Sequence, residues 1–492
     1  MVGLPQTADQ RVAGRRRAVG EMCHRFCVVH HMQVHGARVV ALVSISRMIR
    51  FIALGSLMLA IACACALAPI PRDAVSLFNG KDLTGWVNVN CSPSTFTAKD
   101  GEIFCTGHPT GVLRTAKPYR NFVFEMDWMH QQPDGNSGLF IFSDPLPARG
   151  QPFTRSVEVQ VMLTDDVKDE KGTLQYTGQG DIFSIHGASM VPDRPHPLGW
   201  SRCLPSDRMT KPAGAWNHYK VTANNGTLKL EVNGKEVSGA TAITPCEGFI
   251  CLESEGSPIR FRNLTIVTLP DGAPLTPTQK CLPDQQFESL FDGTLHGWRE
   301  KDGMHGHWKP QDWTLTYDGH GDTLWSEREL KDFELICDWR WTGKPTKAMV
   351  PVVRPDGTTP MGADGKLETA EIDDYGDSGI YLRGSDKSQV NIWCWPVGSG
   401  EVFGYRTDPN QSAAVRAGVT PKENADAPPG KWNRFHIRLQ GDRLCVNLNG
   451  KDVITDAQLP GIPAKGPLAL QHHGAPIEFA NMYVRELPLQ SK

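Results

Sequence analysis

Two stretches of this 492-residue chain open on nearly the same phrase, "SLFNGKDLTGW" from Ser76 and "SLFDGTLHGW" from Ser289. The phrases after each opening repeat as well. The first opening leads into "FVFEMDWM", "GNSGLFIF", "SVEVQVM", "DIFSI", "WNHYKVTANNGTLKLEVNGKEV" and "GFICLESEGSPIRFRNLTIV". The second leads, in the same order, into "FELICDWRW", "GDSGIYLR", "SQVNIWC", "EVFGY", "WNRFHIRLQGDRLCVNLNGKDV" and "GPLALQHHGAPIEFANMYV". The period is too long for a solenoid and marks a duplicated domain. The copies are expected over 74–268 and 287–487, joined by a Pro-rich connector, "LPDGAPLTPTQKCLPDQQ", over 269–286.

Nearly every phrase alternates. In "SVEVQV", Val157, Val159 and Val161 face one way and Ser156, Glu158 and Gln160 the other, the pattern of a strand with one face in the core. "LKLEVNGKEV" and "LCVNLNGKDV" each read as a hairpin, turning at Asn233-Gly234 and Asn449-Gly450. Helical periodicity is weak throughout, and 48 Gly with 36 Pro suit a turn-rich chain. Many short strands separated by turns predict an all-β protein of two antiparallel sandwiches. In the repeated opening, Asn79-Gly80 and Asp292-Gly293 make tight turns, and Phe78, Trp86, Phe291 and Trp298 anchor the leading strand.

The net charge of −3 hides an asymmetry. Residues 1–66 hold eight Arg against one Asp and one Glu, a local +6, which leaves −9 on the rest. A mildly acidic body argues against nucleic acid as a partner. From Met48, "MIRFIALGSLMLAIACACALA" has the parts of an export signal: Arg50, an apolar core from Phe51 to Ala62, and small residues at Ala64-Cys65-Ala66. The core is too short for a comfortable span, so no transmembrane segment is expected in the mature chain. Residues 1–47 are then read as a non-native upstream extension and 48–68 as the signal peptide. That reading makes the protein an exported one, with lipid anchoring at Cys63 as the alternative to simple secretion. Within 1–47, Cys23, Cys27, His30, His31 and His35 lack the spacing of a zinc finger.

Nine of the 13 Cys lie in the body, at 91, 105, 203, 246, 251, 281, 337, 394 and 445. Their odd number and irregular spacing do not make a disulfide framework. Cys246 and Cys251 are close enough in sequence to be candidates for a pair.

Taken together the phrases resemble the 3-keto-disaccharide hydrolase domain family, formerly a domain of unknown function, in two tandem copies. The resemblance rests on "LFNGKDLTGW", "GNSGLFIF", "VEVQV", "WNHYKV", "VNGKEV" and "EGSPIRFRNLTI", and on "LFDGTLHGW", "DSGIYLRG", "QVNIW", "GKWNRFHIRL", "LNGKDV" and "LQHHGAPIEFANMYVREL". It implies a concanavalin A-like jelly-roll fold and cleavage of glycosides whose sugar is oxidised at C3. It also implies a bacterial source, hence a periplasmic or extracellular place for the exported chain. The ketone acidifies the hydrogen on C2, a base removes it, the glycosidic oxygen leaves C1 by elimination, and water adds to the unsaturated sugar. Such a site needs a base, a proton donor for the leaving group and a group that stabilises the enolate.

In the first copy Glu158, mid-strand on the polar face beside Gln160, is the first candidate for a catalytic carboxylate, the alternative being a solvated strand residue, and the resemblance implies that the Glu of this E-V-Q phrase lies in the concave cleft. Glu253 and Glu255 alternate onto one face of "CLESEG" and are candidate acid/base partners, the alternative being surface carboxylates. Asn136 and Gln160 are candidate substrate ligands. Asp181 and His186 flank "IFSI". Glucanases on this fold carry E-x-D-x-E along one strand, and "VEVQV" lacks the further carboxylates. "GNSG" and "GDSG" read as a turn into a strand, with no serine-protease context.

In the second copy Glu158 is matched by Gln389, Gln160 by Asn391, Phe142 by Arg383 and Glu253 by Gln471. The polar face there offers Tyr381, Arg383, Gln389, Asn391, Trp393, Gln471 and His473, with His472 turned the other way. Amides and Arg can bond sugar hydroxyls and Trp393 can stack on a pyranose. Lacking the Glu, this copy would need Glu401 or His473 as its base. Glu371, Asp373, Asp374 and Asp377 form an acidic stretch, to be read as a polar turn or as a site for a hard divalent cation such as calcium; no cofactor is otherwise implied. The expected activity is hydrolysis of 3-keto-glycosides or 3-keto-disaccharides, with carbohydrate as the partner. The alternatives are a lectin-like binding module and a surface adhesin.

Overall fold

The computed structural model describes residues 73–301 and 304–488. The Met48 segment, Cys63 and the Cys/His cluster before it lie outside the described residues. The body forms two tandem jelly-roll sandwiches, all antiparallel, as the alternation required. The first packs a seven-stranded front sheet on a nine-stranded back sheet, and the second a five-stranded front sheet on an eight-stranded back sheet. The short helices Phe403–Arg406 and Ala413–Gly418 belong to the second. Among the described residues no helix is long and apolar enough to cross a membrane.

Local chemistry sets the pairing. Asn233-Gly234 and Asn449-Gly450 all have positive φ, and the flanking registers Val232↔Lys235 and Leu448↔Lys451 leave two-residue turns of the primed kind. The repeated opening phrase is a paired anchor. Trp86 Nε1 donates to Leu77 O at 2.7 Å, and Trp298 Nε1 to Leu290 O at 2.8 Å, while Phe78 and Phe291 are buried. Val157, Val159 and Val161 enter the first core, as the alternation predicts.

The opposite face of that strand is not solvated. Ser156, Glu158 and Gln160 are buried too. Part of the cover over this sheet comes from the second sandwich, whose back sheet lies against the first one's front sheet. Val89, Val112, Phe140, Phe249 and Cys251 of the front sheet cluster with Tyr483, and Ile336 and Phe287 pack alongside. At the centre of this contact Asp338, fully buried, takes two bonds from Arg434 (2.6 and 2.8 Å) and one each from Gly150 N and Asn481 Nδ2 (both 2.7 Å). Arg434 reaches on to Pro147 O, and Tyr483 Oη donates to Asn90. A buried charge so fully hydrogen-bonded is tolerated only while every partner is in place. The Pro-rich connector is laid along the first sandwich, with Arg114 on Asp284 at 2.7 Å and Leu282 N donating to Asp144. Cys246 and Cys251 are not bridged. Cys246 belongs to the first core and Cys251 to the inter-sandwich cluster, and all nine body cysteines are free.

Candidate active site

Four neighbouring strands of the first front sheet, Gln179–Ile185, Ser156–Met162, Asn136–Ser143 and Phe249–Ser254, carry the acidic residues. The registers Phe183↔Glu158, Phe140↔Glu158 and Gly138↔Gln160 put Glu158 and Gln160 on the outward face. Glu253 arrives on the other side of Gly138, fixed by Leu252↔Leu139 and by the bond from Ser137 Oγ to Glu253 O. Gly138 is within the strand rather than in a turn before it, and its missing side chain makes the site. A Cβ there would meet Glu253 Oε2 at 2.6 Å and Glu158 Oε1 at 3.0 Å, so the two carboxyls converge over the bare backbone. Ser137 and Ser378 are buried and donate to main-chain carbonyls, the role of cross-strand tethers.

Glu255, just past the strand end, completes the group. Asn136 Nδ2 donates to Glu255, and Gln160 Nε2 donates to Asn136 Oδ1 at 3.0 Å, so the five residues form one patch. Glu158 is 6% exposed and Glu253 1%, and Glu253 Oε2 has no hydrogen-bond partner. Burial, reinforced by the neighbouring carboxyl of Glu255, pushes Glu158 well above the usual carboxylate range, with Arg202 pulling the other way. Glu253 is raised well above that range by burial and then by Glu255 and Glu158. Glu255 is pushed up to about 7 by burial, against the Asn136 bond that lowers it and with Asp312 adding to the rise. The patch therefore holds two carboxyls whose burial favours the neutral acid, beside a third pushed up to about 7. Environments that separate the states of adjacent carboxyls are what acid–base chemistry requires.

Two contributors gave no sequence signal. Arg202 pairs with Phe183 in register, two strands from Glu158, and binds the fully buried Asp181 at 2.6 Å. Its strand has two residues, too short for any periodicity. Asp312 comes from the other copy and takes bonds from Thr110 N and Oγ1 at 2.7 and 2.6 Å. His186 follows the opposite end of its strand, at positive φ, away from the carboxyls.

In the second sandwich the same two positions hold an amide pair. Gln389 Nε2 donates to Gln471 Oε1 at 2.5 Å and to Ser378 O at 3.1 Å, over Gly379. Tyr381 is half-buried nearby, against Trp325, and Asn391 is buried beside the backbone of Glu401. Two sugar-binding expectations are revised. Arg383 leaves the face, because alternation stops one residue earlier: Arg383-Gly384 is a tight turn at positive φ. Its guanidinium is buried on Asp332 (2.9 Å), Gly441 O and Pro463 O. Trp393 has the expected facing but is covered. Its ring stacks on Trp395 at 4.2 Å, Nε1 is spent on Gly398 O, and Val353 and Val397 close over it. Glu401 is fully buried against Arg406, unsuited to act as a base. His473 is exposed, 4.0 Å from Asp377, while His472 turns to Tyr317. The acidic stretch does not converge. Glu371 and Asp373 pair with Lys347, and Asp374 caps Gly376 N. Among the described residues no three His, Cys, Asp or Glu side chains form a metal-binding group.

Solved structures resemble one sandwich at a time. A protein from Parabacteroides distasonis ATCC 8503, provisionally described as a glycosyl hydrolase, is 22% identical over 40% of this chain and 94% of its own, with a TM-score of 0.32. The carbohydrate-binding module CBM66 from Bacillus subtilis is 15% identical over 39% and 98%, TM-score 0.24. A Bacillus licheniformis β-glucanase is 15% identical over 41% and 100%, TM-score 0.25. Likeness this distant bears on neither substrate nor mechanism. No curated protein shows significant similarity to the chain. The family described as the 3-keto-alpha-glucoside-1,2-lyase-like domain matches residues 73–267 and again 286–485, and the chain belongs to that family, with two tandem copies of the domain.

Proposed function

We propose that the protein is a carbohydrate-active enzyme that cleaves glycosidic bonds of 3-keto sugars, and that the first sandwich carries the chemistry. Family membership supports the substrate class. The observation that carries the mechanism is the convergence of Glu158 and Glu253 over Gly138, with Glu255 tied beside them by Asn136. Glu255, titrating at about 7, takes the C2 proton. The C2–H electrons form the enolate, and the C1–O bond then breaks. The departing oxygen receives a proton from Glu158 or Glu253, in both of which burial favours the neutral acid. Arg202 supplies positive charge on this face for the enolate oxygen. Water adds across C1 and C2, its hydroxyl going to C1 and its proton restoring the acid that had protonated the leaving oxygen, while Glu255 returns its proton to C2, so the net reaction is hydrolysis. The same proposal places the protein outside the cytoplasm, on the strength of the Met48 segment.

For the second sandwich a binding role is the better reading, since Gln389 and Gln471 bond each other and neither ionises. The test is release of a chromogenic leaving group from a 3-keto-glucoside and from the unoxidised glucoside. Release is expected from the ketone alone, falling by roughly 10²–10⁴ in Glu255→Gln, the usual worth of a general base. Equal release from both glucosides, or full activity in Glu255→Gln, would refute the mechanism.

A further inference from the structure

The two copies differ most between the strands that lead into their front sheets. In the first, residues 131–135 join Phe122–His130 to Asn136–Ser143. In the second, 342–376 join Phe333–Trp341 to Asp377–Leu382, and this longer link folds into a hairpin, Thr346–Pro351 against Thr369–Asp374. The hairpin walls a cavity of about 490 Å³ at the end of the second front sheet, within the size range of small-molecule sites. Lys344 and Val350 face it from the link, Asp377 and His473 from the sheet end, and Trp395 from the side.

Three features make this a built site. Trp395 is half-buried, and one ring face lies on Trp393 at 4.2 Å and 5° from parallel, so the indole is held rigid while it borders the cavity. Trp393 is itself pinned through Nε1 to Gly398 O at 2.8 Å. Asp377 Oδ1 is shut from solvent without a hydrogen-bond partner, and its other oxygen is 4.0 Å from His473 Nδ1. A fixed aromatic surface beside a part-exposed carboxylate and the nitrogen donors of Lys344 and His473 matches the amphipathic surface of a sugar ring, with an apolar C–H face and hydroxyls at its edge.

We infer that this cavity is a subsite for an intact, unoxidised pyranose, with Trp395 as the stacking platform and Asp377 and His473 bonding its hydroxyls. The inference rests on the carbohydrate reading above but not on the elimination chemistry, and it uses neither Arg383 nor Trp393. The exposed hairpin explains why alternation alone pointed to Trp393: the insertion buries that ring and presents the next one.

The experiment is calorimetric titration of the full chain with methyl α-D-glucopyranoside, maltose and cellobiose. Saturable binding of at least one probe is expected, weakened about tenfold or more in Trp395→Ala, a loss of about 1.4 kcal/mol. Asp377→Asn, which keeps the shape of the side chain, should weaken it as well, while Glu255→Gln should bind as the parent does. Circular dichroism identifies a misfolded Trp395 variant, in which case Asp377→Asn decides. Absence of binding to all three probes overturns the inference. So does binding that survives Trp395→Ala and Asp377→Asn or that is lost in Glu255→Gln. Turnover of a 3-keto-glucoside without such binding would leave the catalytic proposal standing and this one refuted, and binding without turnover the reverse.

Discussion

Gly138→Ala puts one methyl group into the gap where the carboxyls meet. The backbone there is ordinary strand, so alanine brings no conformational strain of its own. Its Cβ would be 2.6 Å from Glu253 Oε2 and 3.0 Å from Glu158 Oε1, with the Phe140 ring at 3.1 Å. Comfortable heavy-atom contact begins at about 3.5 Å, so both carboxyls must withdraw by several tenths of an ångström or more. Overpacking of this kind costs about 1–3 kcal/mol. At about 2–4 °C per kcal/mol for a domain of this size, the melting temperature should fall by about 2–12 °C. A displacement near 1 Å at reacting groups costs roughly 10²-fold in rate. Gly379→Ala is the control. Its Cβ would press still harder on the Gln389 amide, so it should destabilise at least as much and leave turnover of a 3-keto-glucoside within a fewfold of the parent. Melting and kcat on both variants decide the matter. If Gly138→Ala turns over normally, or if Gly379→Ala is equally inactive while folded, the first-sandwich carboxyls are not the reacting groups.

The other predictions concern protons and the contact between the sandwiches. If Glu255 is the base, kcat/KM should rise with pH through a midpoint near 7, because only the ionised form accepts the C2 proton; a flat profile between pH 5 and 8 rules that assignment out. Stability should run the other way. Glu158, Glu253 and Glu255 all have folded-state pKa values above the unfolded one, so the folded chain favours the protonated forms. Their contribution is complete below about pH 4, near the unfolded carboxylate value, and is lost as pH rises through about 7 and beyond. Glu253→Gln, always neutral, should therefore melt higher than the parent at pH 8 and about the same at pH 4, and equal melting at pH 8 would show that Glu253 is not held protonated. Asp338→Ala strands Arg434 in the contact between sandwiches and should cost about 3–5 kcal/mol. Scanning calorimetry should resolve two transitions where the parent gives one, and an unchanged thermogram would mean that the contact carries no cooperativity.

The fold was legible because it is written in local signals. Alternation of period two, Asn-Gly at the hairpins and a Trp that bonds back to its own leading strand each act within ten residues or so. The carboxyl patch was legible in part. Glu253 and Glu255 share a strand face, and Glu158 is mid-strand, but nothing local says that a glycine on the strand between theirs leaves them room to meet. The hidden part depends on long-range placement. Asp312 is brought to Thr110 only by the packing of one sandwich on the other, and Arg202 by a two-residue bridge at the sheet edge. Arg383 misled because a single pair of positive-φ residues ends the alternation, and Trp393 because a distant insertion covers a face that the strand pattern leaves open.

The duplication also constrains how the work is divided. The contact uses the front sheet of the first sandwich and the back sheet of the second, so the copies cannot be interchangeable. In the first, the covered front face leaves Glu158 and Glu253 almost dry, and that burial raises both well above the usual carboxylate range. Among the described residues the inter-sandwich cluster holds none from the second front sheet, whose end is deepened by the hairpin of 342–376. The scaffold beneath both sites is the same: Gly138 and Gly379 open the gap, and Ser137 and Ser378 tie the neighbouring strand by the same bond. On that common base the first copy places carboxyls and the second places amides. Exchanging the pairs should not exchange the roles. Gln389→Glu with Gln471→Glu would create two carboxyls beside His473, which stands where the first copy has Glu255, and they should give no 3-keto turnover when Glu158 and Glu253 are removed. Rescue of turnover by that exchange would show that the carboxyl pair alone suffices and that Glu255 has no part in the chemistry.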